Sequence, residues 1–308
     1  MKYPIPFDEK SLKLKAIQIR KDIVEQVFSA GSGHPGGSLS ATEIFTVLFN
    51  SVLRHDTENC EWENRDRFIL SKAHITPAYY STLCRAGYFD ECELKGFRKF
   101  GHFLQGHPKI DREHGIEIGG GSLGQNLSIA VGEALGLKKR AVADPEKANC
   151  RVFDLSSEGE LQEGSMWEAI MSAAQYKLNN LCIIIDYNRL QIDGKCGEVM
   201  EVAPLDKKFE AFNWNVLVIN GHEVKEVYEA FKTFEELAAG KTVTDKTSAN
   251  GEVLDPTKPT AIICTTIKGK GISFMADVAG WHGKAPSKEE RDQAIAELEA
   301  EEEKIKNS

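Results

Sequence analysis

"CRVFDLSSEGELQEGSMWEAIMSAAQYKLNNLCIIIDYN", residues 150–188, decides how the chain is read. It opens on one apolar run, 150–155, and closes on another, 181–187. Between them "MWEAIMSAAQYKL" repeats apolar residues at helical spacing. Both runs are continuous rather than alternating, the pattern of strands covered on both faces in a parallel sheet. Strand 150–155, helix 165–178 and strand 181–187 therefore make one βαβ unit. The turn after the first strand, Ser156 to Gly164, stands where phosphate often binds, yet it holds three glutamates where such loops favour glycine.

Working outward, "NVLVI" (215–219) reads as a strand, about 223–238 as a helix and "TAIIC" (260–264) as a further strand. This alternation predicts an α/β fold: a doubly wound, mostly parallel sheet with helices on both faces. Upstream, a helix runs from about Asp8 to Phe28, with Ile17, Val24, Val27 and Phe28 near one face. "GSGHPGGSLS" breaks it and "ATEIFTVLFNSVLR" resumes a helix, so about 8–60 is a helical segment. "DRFILSKAH" carries a short strand, Phe68 to Leu70, running into a loop at Lys72 to His74. "IEIGGGSLGQNLS" leads into an alanine-rich helix starting near Leu127. Gly240 to Pro259 is a polar surface loop, and Ser287 with Glu290 makes a capping box for a charged helix over about 287–304. No repeat and no internal boundary is visible, so residues 1–308 are expected to form a single domain.

Composition excludes several partners. With 41% hydrophobic residues in 308, the chain can bury one large core. A net charge of -9 and no basic stripe with interleaved aromatics argue against nucleic acid and anionic membranes. The longest apolar runs are far too short to cross a bilayer. "MKYPIPFDEK" has no apolar signal core behind a basic start, so export is not expected. The seven cysteines contain no CxxC pair and several lie inside apolar strands, which fits reduced thiols in a cytoplasmic protein.

In an open parallel sheet, ligands bind beyond the carboxyl ends of the strands. Strand 150–155 ends into Ser157, Glu158 and Gly159, and strand 181–187 into Asp186 and Asn188. Neighbouring strands lie about 4.8 Å apart, so Glu158 and Asn188 can reach one ion. A carboxylate, an amide oxygen and backbone carbonyls suit magnesium or calcium. The later strands end in "NGH" (220–222) and "KGKG" (268–271), with "WHGK" following. Singly, each signal has a structural explanation. A glutamate at a helix start complements its dipole, an asparagine forms turns, and a lone histidine is usually solvated or structural. Of His34, His74, His107, His222 and His282, all but His222 sit beside a glycine-, proline- or alanine-rich turn. That grouping points to a site needing close backbone approach.

The ordered motifs resemble a known family. "SAGSGHPGGSLSATEI", "LSKAHITPAYYSTL", "GHPKID", "GGGSLGQNLSIAVG", "GELQEGSMWEA", "NRLQIDG", "FNWNV", "NGHEV" and "TIKGKGISFM…WHGK" are similar to the N-terminal, diphosphate-binding half of transketolase, over about residues 10 to 295. The resemblance is closest to the separately encoded N-terminal subunit of many prokaryotes. It implies the thiamine diphosphate-binding fold (PP-type domain), with thiamine diphosphate and a divalent metal, usually Mg2+, with Ca2+ or Mn2+ as other candidates. Glu158, Asn188 and the carbonyl of Leu190 match the metal ligands, and Gly159 would present its N–H to the diphosphate. His34, His74, His107 and His282 match the active-site histidines, the first and third toward sugar hydroxyls, the others toward the diphosphate and reacting centre. Histidines near neutral pKa would move the protons of C–C cleavage. Gly121 and Leu123 match cofactor-binding positions, Leu123 packing against the rings.

The resemblance also implies what lies elsewhere. The catalytic glutamate that activates the aminopyrimidine belongs to the other half of the family's architecture. A C-terminal transketolase subunit carrying the pyrimidine-binding domain is expected as partner, in a two-fold heterotetramer acting on sugar phosphates. Four positions depart from the pattern. Ser157-Glu158-Gly159 replaces glycine–aspartate–glycine, and Gly120 and Asn126 stand where relatives usually have threonine and glycine. Glutamate is longer than aspartate by roughly 1.5 Å, while magnesium wants oxygens at about 2.0–2.1 Å. Serine also lacks glycine's freedom at positive φ. Three readings follow: an active transketolase subunit, a cofactor-weakened structural or regulatory subunit, or a related thiamine enzyme with another sugar. For the last, a sulfosugar or branched-sugar transketolase fits better than 1-deoxyxylulose-phosphate synthase, because the whole motif set follows transketolase.

Overall fold

A computed structural model of the chain describes residues 1–144 and 150–308. Strands β1 (Arg67–Leu70), β2 (Val152–Ser157) and β3 (Leu181–Tyr187) are followed by a short hairpin, β4 (Leu190–Gln191) and β5 (Gly194–Lys195), and then by β6 (Asn215–Asn220) and β7 (Thr260–Thr265). The five longer strands form one all-parallel sheet in the order β1-β2-β3-β7-β6. The register pairs Val152 with Leu181 and Ser157 with Asp186. The turns after β2 and β3 therefore leave the sheet side by side.

Ten helices are described: α1 (Glu9–Ala30), α2 (Pro35–Ser40), α3 (Thr42–Ser51), α4 (Thr76–Ala86), α5 (Asn126–Ala143), α6 (Gly164–Gln175), α7 (Cys196–Val199), α8 (Leu205–Ala211), α9 (Val224–Ala238) and α10 (Lys288–Asn307). Strand side chains alternate between two cores. Phe153, Leu155, Cys182 and Ile184 pack with α1, α3, α4 and α9 on one face. Val152, Leu181, Ile183 and Ile185 pack with α5, α6 and α8 on the other. Burial on both faces explains why the strands read as continuous apolar runs.

Most expected elements stand within one to three residues of their sequence-based ends. The capping box at Ser287 and Glu290 is formed, and α10 lies along α1. The 240–259 insert holds only an isolated bridge, Thr247 to Val253, and is pinned by the buried Val243 and Leu254. One expectation is corrected. "GSGHPGGSLS" is not simply a break: Pro35, whose fixed φ suits a first helical turn, opens the short helix α2. Gly36 in that helix serves close approach, since a Cβ there would lie 2.8 Å from the Trp281 carbonyl. Its own carbonyl accepts a hydrogen bond from the Gly269 N–H at 2.9 Å, docking α2 on the loop after β7. No helix among the described residues is long and apolar enough to cross a membrane.

Candidate active site

Four elements deliver the four histidines to one place. His34 precedes α2, His74 lies in the turn after β1, His107 follows a loop beyond α4, and His282 closes the turn after β7. The His34 ring centre is 5.2 Å from that of His74, 5.4 Å from His282 and 6.5 Å from His107, and His74 and His282 stack at 5.2 Å. His222 does not join them; its ring turns to Glu43 and to the Ile267 N–H. The expected near-neutral titration is not what the site shows. Burial, followed by the positive charge of Arg98, lowers His34 to about 4. Burial and Lys268 lower His282 to about 3, and His74 and His107 are also pushed down, mainly by burial. The cluster is neutral at pH 7 and presents hydrogen-bonding rings rather than charges.

Beside the rings lie two lysines and an aspartate, at strand ends to which sequence reasoning gave no role. Lys72 and Asp186 form a fully buried ion pair at 2.5 Å. Asp186 also accepts from Ser40 at 2.5 Å, from the Asn188 amide at 3.0 Å and from the Thr266 hydroxyl. One carboxylate thus ties α2, β1, β3 and β7 together. Lys268 is 2% exposed and has no such counter-ion among the described residues. Its Nζ donates to the Leu190 carbonyl at 3.1 Å and lies 2.8 Å from His282 Nδ1. That contact leaves the neutral His282 ring with its proton on Nε2. Both lysines stood in plain view in "LSKAH" and "TIKGKG"; the signal was a lysine in each of the two strand-end segments that carry His74 and His282.

The residues expected to hold a metal lie in the neighbouring turns after β2 and β3. Glu158, only 1% exposed, reaches across to the next strand's turn, where its Oε2 accepts from the Arg189 N–H at 2.8 Å. Its Oε1 is buried without a hydrogen-bond partner. Burial raises the Glu158 pKa, against the opposing pull of the Cys196 thiol and the Arg189 amide beside it. Asn188 Oδ1 accepts from the Leu190 N–H at 3.1 Å, and the Leu190 carbonyl faces Lys268. A buried, unpartnered carboxylate oxygen beside an amide oxygen and a carbonyl is a donor set suited to a hard divalent cation. The residues fit the group. The orphaned oxygen is what a metal would satisfy.

The family described as "Transketolase, thiamine diphosphate binding domain" matches residues 12–305. This chain belongs to that family. It is 36% identical to an apulose-4-phosphate transketolase subunit from Phocaeicola vulgatus, over 96% of each chain. It is 36% identical to a 6-deoxy-6-sulfo-D-fructose transketolase subunit from a Clostridium species, over 94% of this chain and 97% of that one. Among solved structures, Campylobacter jejuni transketolase superposes with a TM-score of 0.79 at 28% identity, covering 98% of this chain and 48% of its own. The chain therefore spans about half the length of that transketolase.

Set against the transketolase pattern, the departures have local explanations. Ser157 ends β2 in extended backbone and is not among the residues at positive φ, so the anticipated strain is absent. Gly120 and Asn126 are a coupled pair. The Asn126 amide donates to the Leu70 carbonyl at 3.1 Å and to Gly119 at 3.3 Å. A Cβ on residue 120 would lie 2.9 Å from that amide nitrogen and 2.6 Å from Ala73 Cβ. Asn126 and Ala73 thus occupy the space that a side chain at residue 120 would need. In the same loop Gly121 faces the His107 ring, Leu123 is half-buried, and the Gly124 N–H donates to Glu160 at 2.9 Å. Gly159 stands open, with only Gln191 Cβ within 4 Å of its missing side chain.

Proposed function

We propose that this chain is the thiamine diphosphate-binding subunit of a two-chain transketolase, moving a two-carbon ketol unit from a ketose phosphate to an aldose phosphate. The observation that carries this reading is the convergence at one sheet edge of four histidines, the buried Lys268 and the Glu158–Asn188–Leu190 oxygen set. When bound, thiamine diphosphate supplies a nucleophilic ylid and an electron sink. The chain's own residues bind and orient. Lys268, with Lys72 behind it and the Gly159 N–H, offers positive charge to the diphosphate. Glu158, Asn188 and the Leu190 carbonyl would hold Mg2+, or Ca2+ or Mn2+. Gly121 and Leu123 would contact the cofactor, Leu123 packing against its rings. His282 holds a proton on Nε2 and, with His74, would face the diphosphate and the reacting centre, while His34 and His107 would face sugar hydroxyls. The pyrimidine-binding domain and its catalytic glutamate come from a partner chain, in a heterotetramer in the cytoplasm. The free state of all seven cysteines supports that compartment.

A second reading concerns the sugar. The relatives named for apulose 4-phosphate and 6-deoxy-6-sulfo-D-fructose favour a branched or sulfonated sugar over xylulose 5-phosphate. The test is to co-express the chain with its partner, then titrate thiamine diphosphate and Mg2+ by calorimetry. Turnover assays with the three ketoses follow. Metal-dependent binding lost in Glu158→Gln, together with turnover of any ketose, supports an active enzyme. No binding by the wild-type pair, restored by Glu158→Asp, overturns it in favour of a cofactor-weakened chain. Turnover of apulose 4-phosphate or the sulfosugar with xylulose 5-phosphate inert selects the second reading.

A further inference from the structure

The "NGH" turn after β6 has no part in the site described above, yet its histidine, with a side chain 8% exposed, belongs to a network aimed at the loop that carries Lys268. His222 Nε2 accepts from the Ile267 N–H at 2.8 Å, so the ring's proton is on Nδ1, which meets Glu43 Oε2 at 3.0 Å. Glu43 stands on α3 and pairs with Arg20 of α1 at 2.6 Å. Arg20 then returns to the same loop: its Nε donates to the Lys270 carbonyl at 3.0 Å. Gly271 lets the two approach, since a Cβ there would lie 2.9 Å from Arg20 Cδ. Burial pushes the Glu43 pKa up, but the Arg20 charge and the hydrogen bonds from His222 and Arg20 outweigh it and hold it at about 2. The carboxylate is thus charged throughout the working range and fixes which ring nitrogen of His222 carries the proton.

The loop is gripped on both sides of Lys268, at the residue 267 amide by His222 and at the residue 270 carbonyl by Arg20. From the site's side, α2 takes the Gly269 N–H through the Gly36 carbonyl at 2.9 Å. Such restraint has a physical reason. A buried ammonium without a counter-ion gains free energy by swinging its loop into water. Holding it in place needs backbone contacts that do not depend on the lysine itself. We propose that His222, backed by Glu43 and Arg20, is a positioning residue that keeps Lys268 poised for the cofactor's diphosphate. The inference rests on the transketolase reading above. Hydrogen bonds of this kind act by fixing a group where the ligand will need it, so their loss falls on anion binding before it falls on the chemistry.

His222→Phe in the two-subunit complex tests this: it keeps a ring and removes both hydrogen bonds. His222→Gln is the conservative variant, because its amide can accept from the Ile267 N–H and donate to Glu43. The expected result for the phenylalanine variant is a roughly ten- to hundredfold weaker binding of thiamine diphosphate and of inorganic pyrophosphate. kcat at saturating cofactor should stay within about threefold, and glutamine should recover most of the binding. The decisive readout is a double-mutant cycle in pyrophosphate affinity with Lys268→Met. If His222 acts through Lys268, His222→Phe costs little further once the lysine is gone. Additive losses refute the proposal, as does unchanged binding in His222→Phe or a loss confined to kcat. Wild type that binds no pyrophosphate also refutes it, since Lys268 would then have no anion to meet. If the complex binds pyrophosphate but turns over no ketose, the transketolase reading fails while the cycle still decides His222.

Discussion

Replacing Lys268 by methionine tests whether the site is held in tension for an anion. Burial, then the neighbouring Lys72 charge, lowers the Lys268 pKa from 10.5 to about 8. At 1.36 kcal/mol per unit, the charged form opposes folding by roughly 3 kcal/mol. Because the folded value lies below the unfolded one, this cost is absent above about pH 10.5 and complete below about pH 8. Methionine keeps the length and removes the charge. It also removes the bonds to the Leu190 carbonyl and His282 Nδ1, each contributing about 1 kcal/mol net. Without ligand, the variant should be more stable than wild type by about 1 kcal/mol at pH 7. The advantage should shrink by about 2 kcal/mol by pH 9.5, reversing sign as wild-type Lys268 loses its proton. Urea denaturation at the two pH values measures this. Calorimetry in buffers of different ionisation enthalpy should show proton uptake when pyrophosphate binds wild type near pH 8.5, and weaker binding without that uptake in Lys268→Met. A variant destabilised by more than about 3 kcal/mol at pH 7, or a difference that does not move with pH, refutes the argument.

Asp186→Asn leaves the buried Lys72 without its counter-ion and should cost about 3–5 kcal/mol in denaturant unfolding. Burial pushes Asp186 up, but the Lys72 charge and donated hydrogen bonds outweigh it and hold its pKa below the usual 3.8. Its contribution is present above pH 3.8 and fades as pH falls through the folded value, so the variant's stability should depend less on pH in acid. Gly120→Thr alone collides with Ala73 and Asn126 and should cost about 1–3 kcal/mol. Adding Asn126→Gly should recover more than the sum of the single effects allows, measured as a double-mutant cycle.

The α/β architecture was legible because both strands of the 150–188 unit are buried on two faces and carry no alternation. The histidine grouping was legible because all four lie beside glycine-, proline- or alanine-rich turns, and strand order fixes the place of two of them, His74 after β1 and His282 after β7. The lysines were not, because a lysine in sequence reads as surface, and only the assembled sheet edge shows Lys72 and Lys268 buried. Helix α2 was missed because glycines at 36 and 37 lower helix propensity, an effect overridden by Pro35 and by packing against the Lys268 loop. Asp186 was noted only as a strand end; that it accepts from four elements' side chains depends on register. His222 was set apart from the other histidines by its turn, and correctly. Its partners Glu43 and Arg20 lie about two hundred residues away on helices whose packing no spacing rule encodes.

The same features bear on whether Glu158 marks a site that has lost its cofactor. A buried polar group without a partner costs roughly 1–3 kcal/mol. At this edge the chain keeps Glu158 Oε1, His34 Nδ1 and Arg98 Nε unpartnered, and Lys268 charged without a counter-ion among the described residues. An acid and two cations with free capacity are what a metal and anions would satisfy together. A chain with nothing to bind has no offset for these costs, and single changes such as Lys268→Met would relieve part of them. On the proposed function, Glu158 would serve as a longer ligand. It spans to the Arg189 amide with one oxygen and leaves the other free.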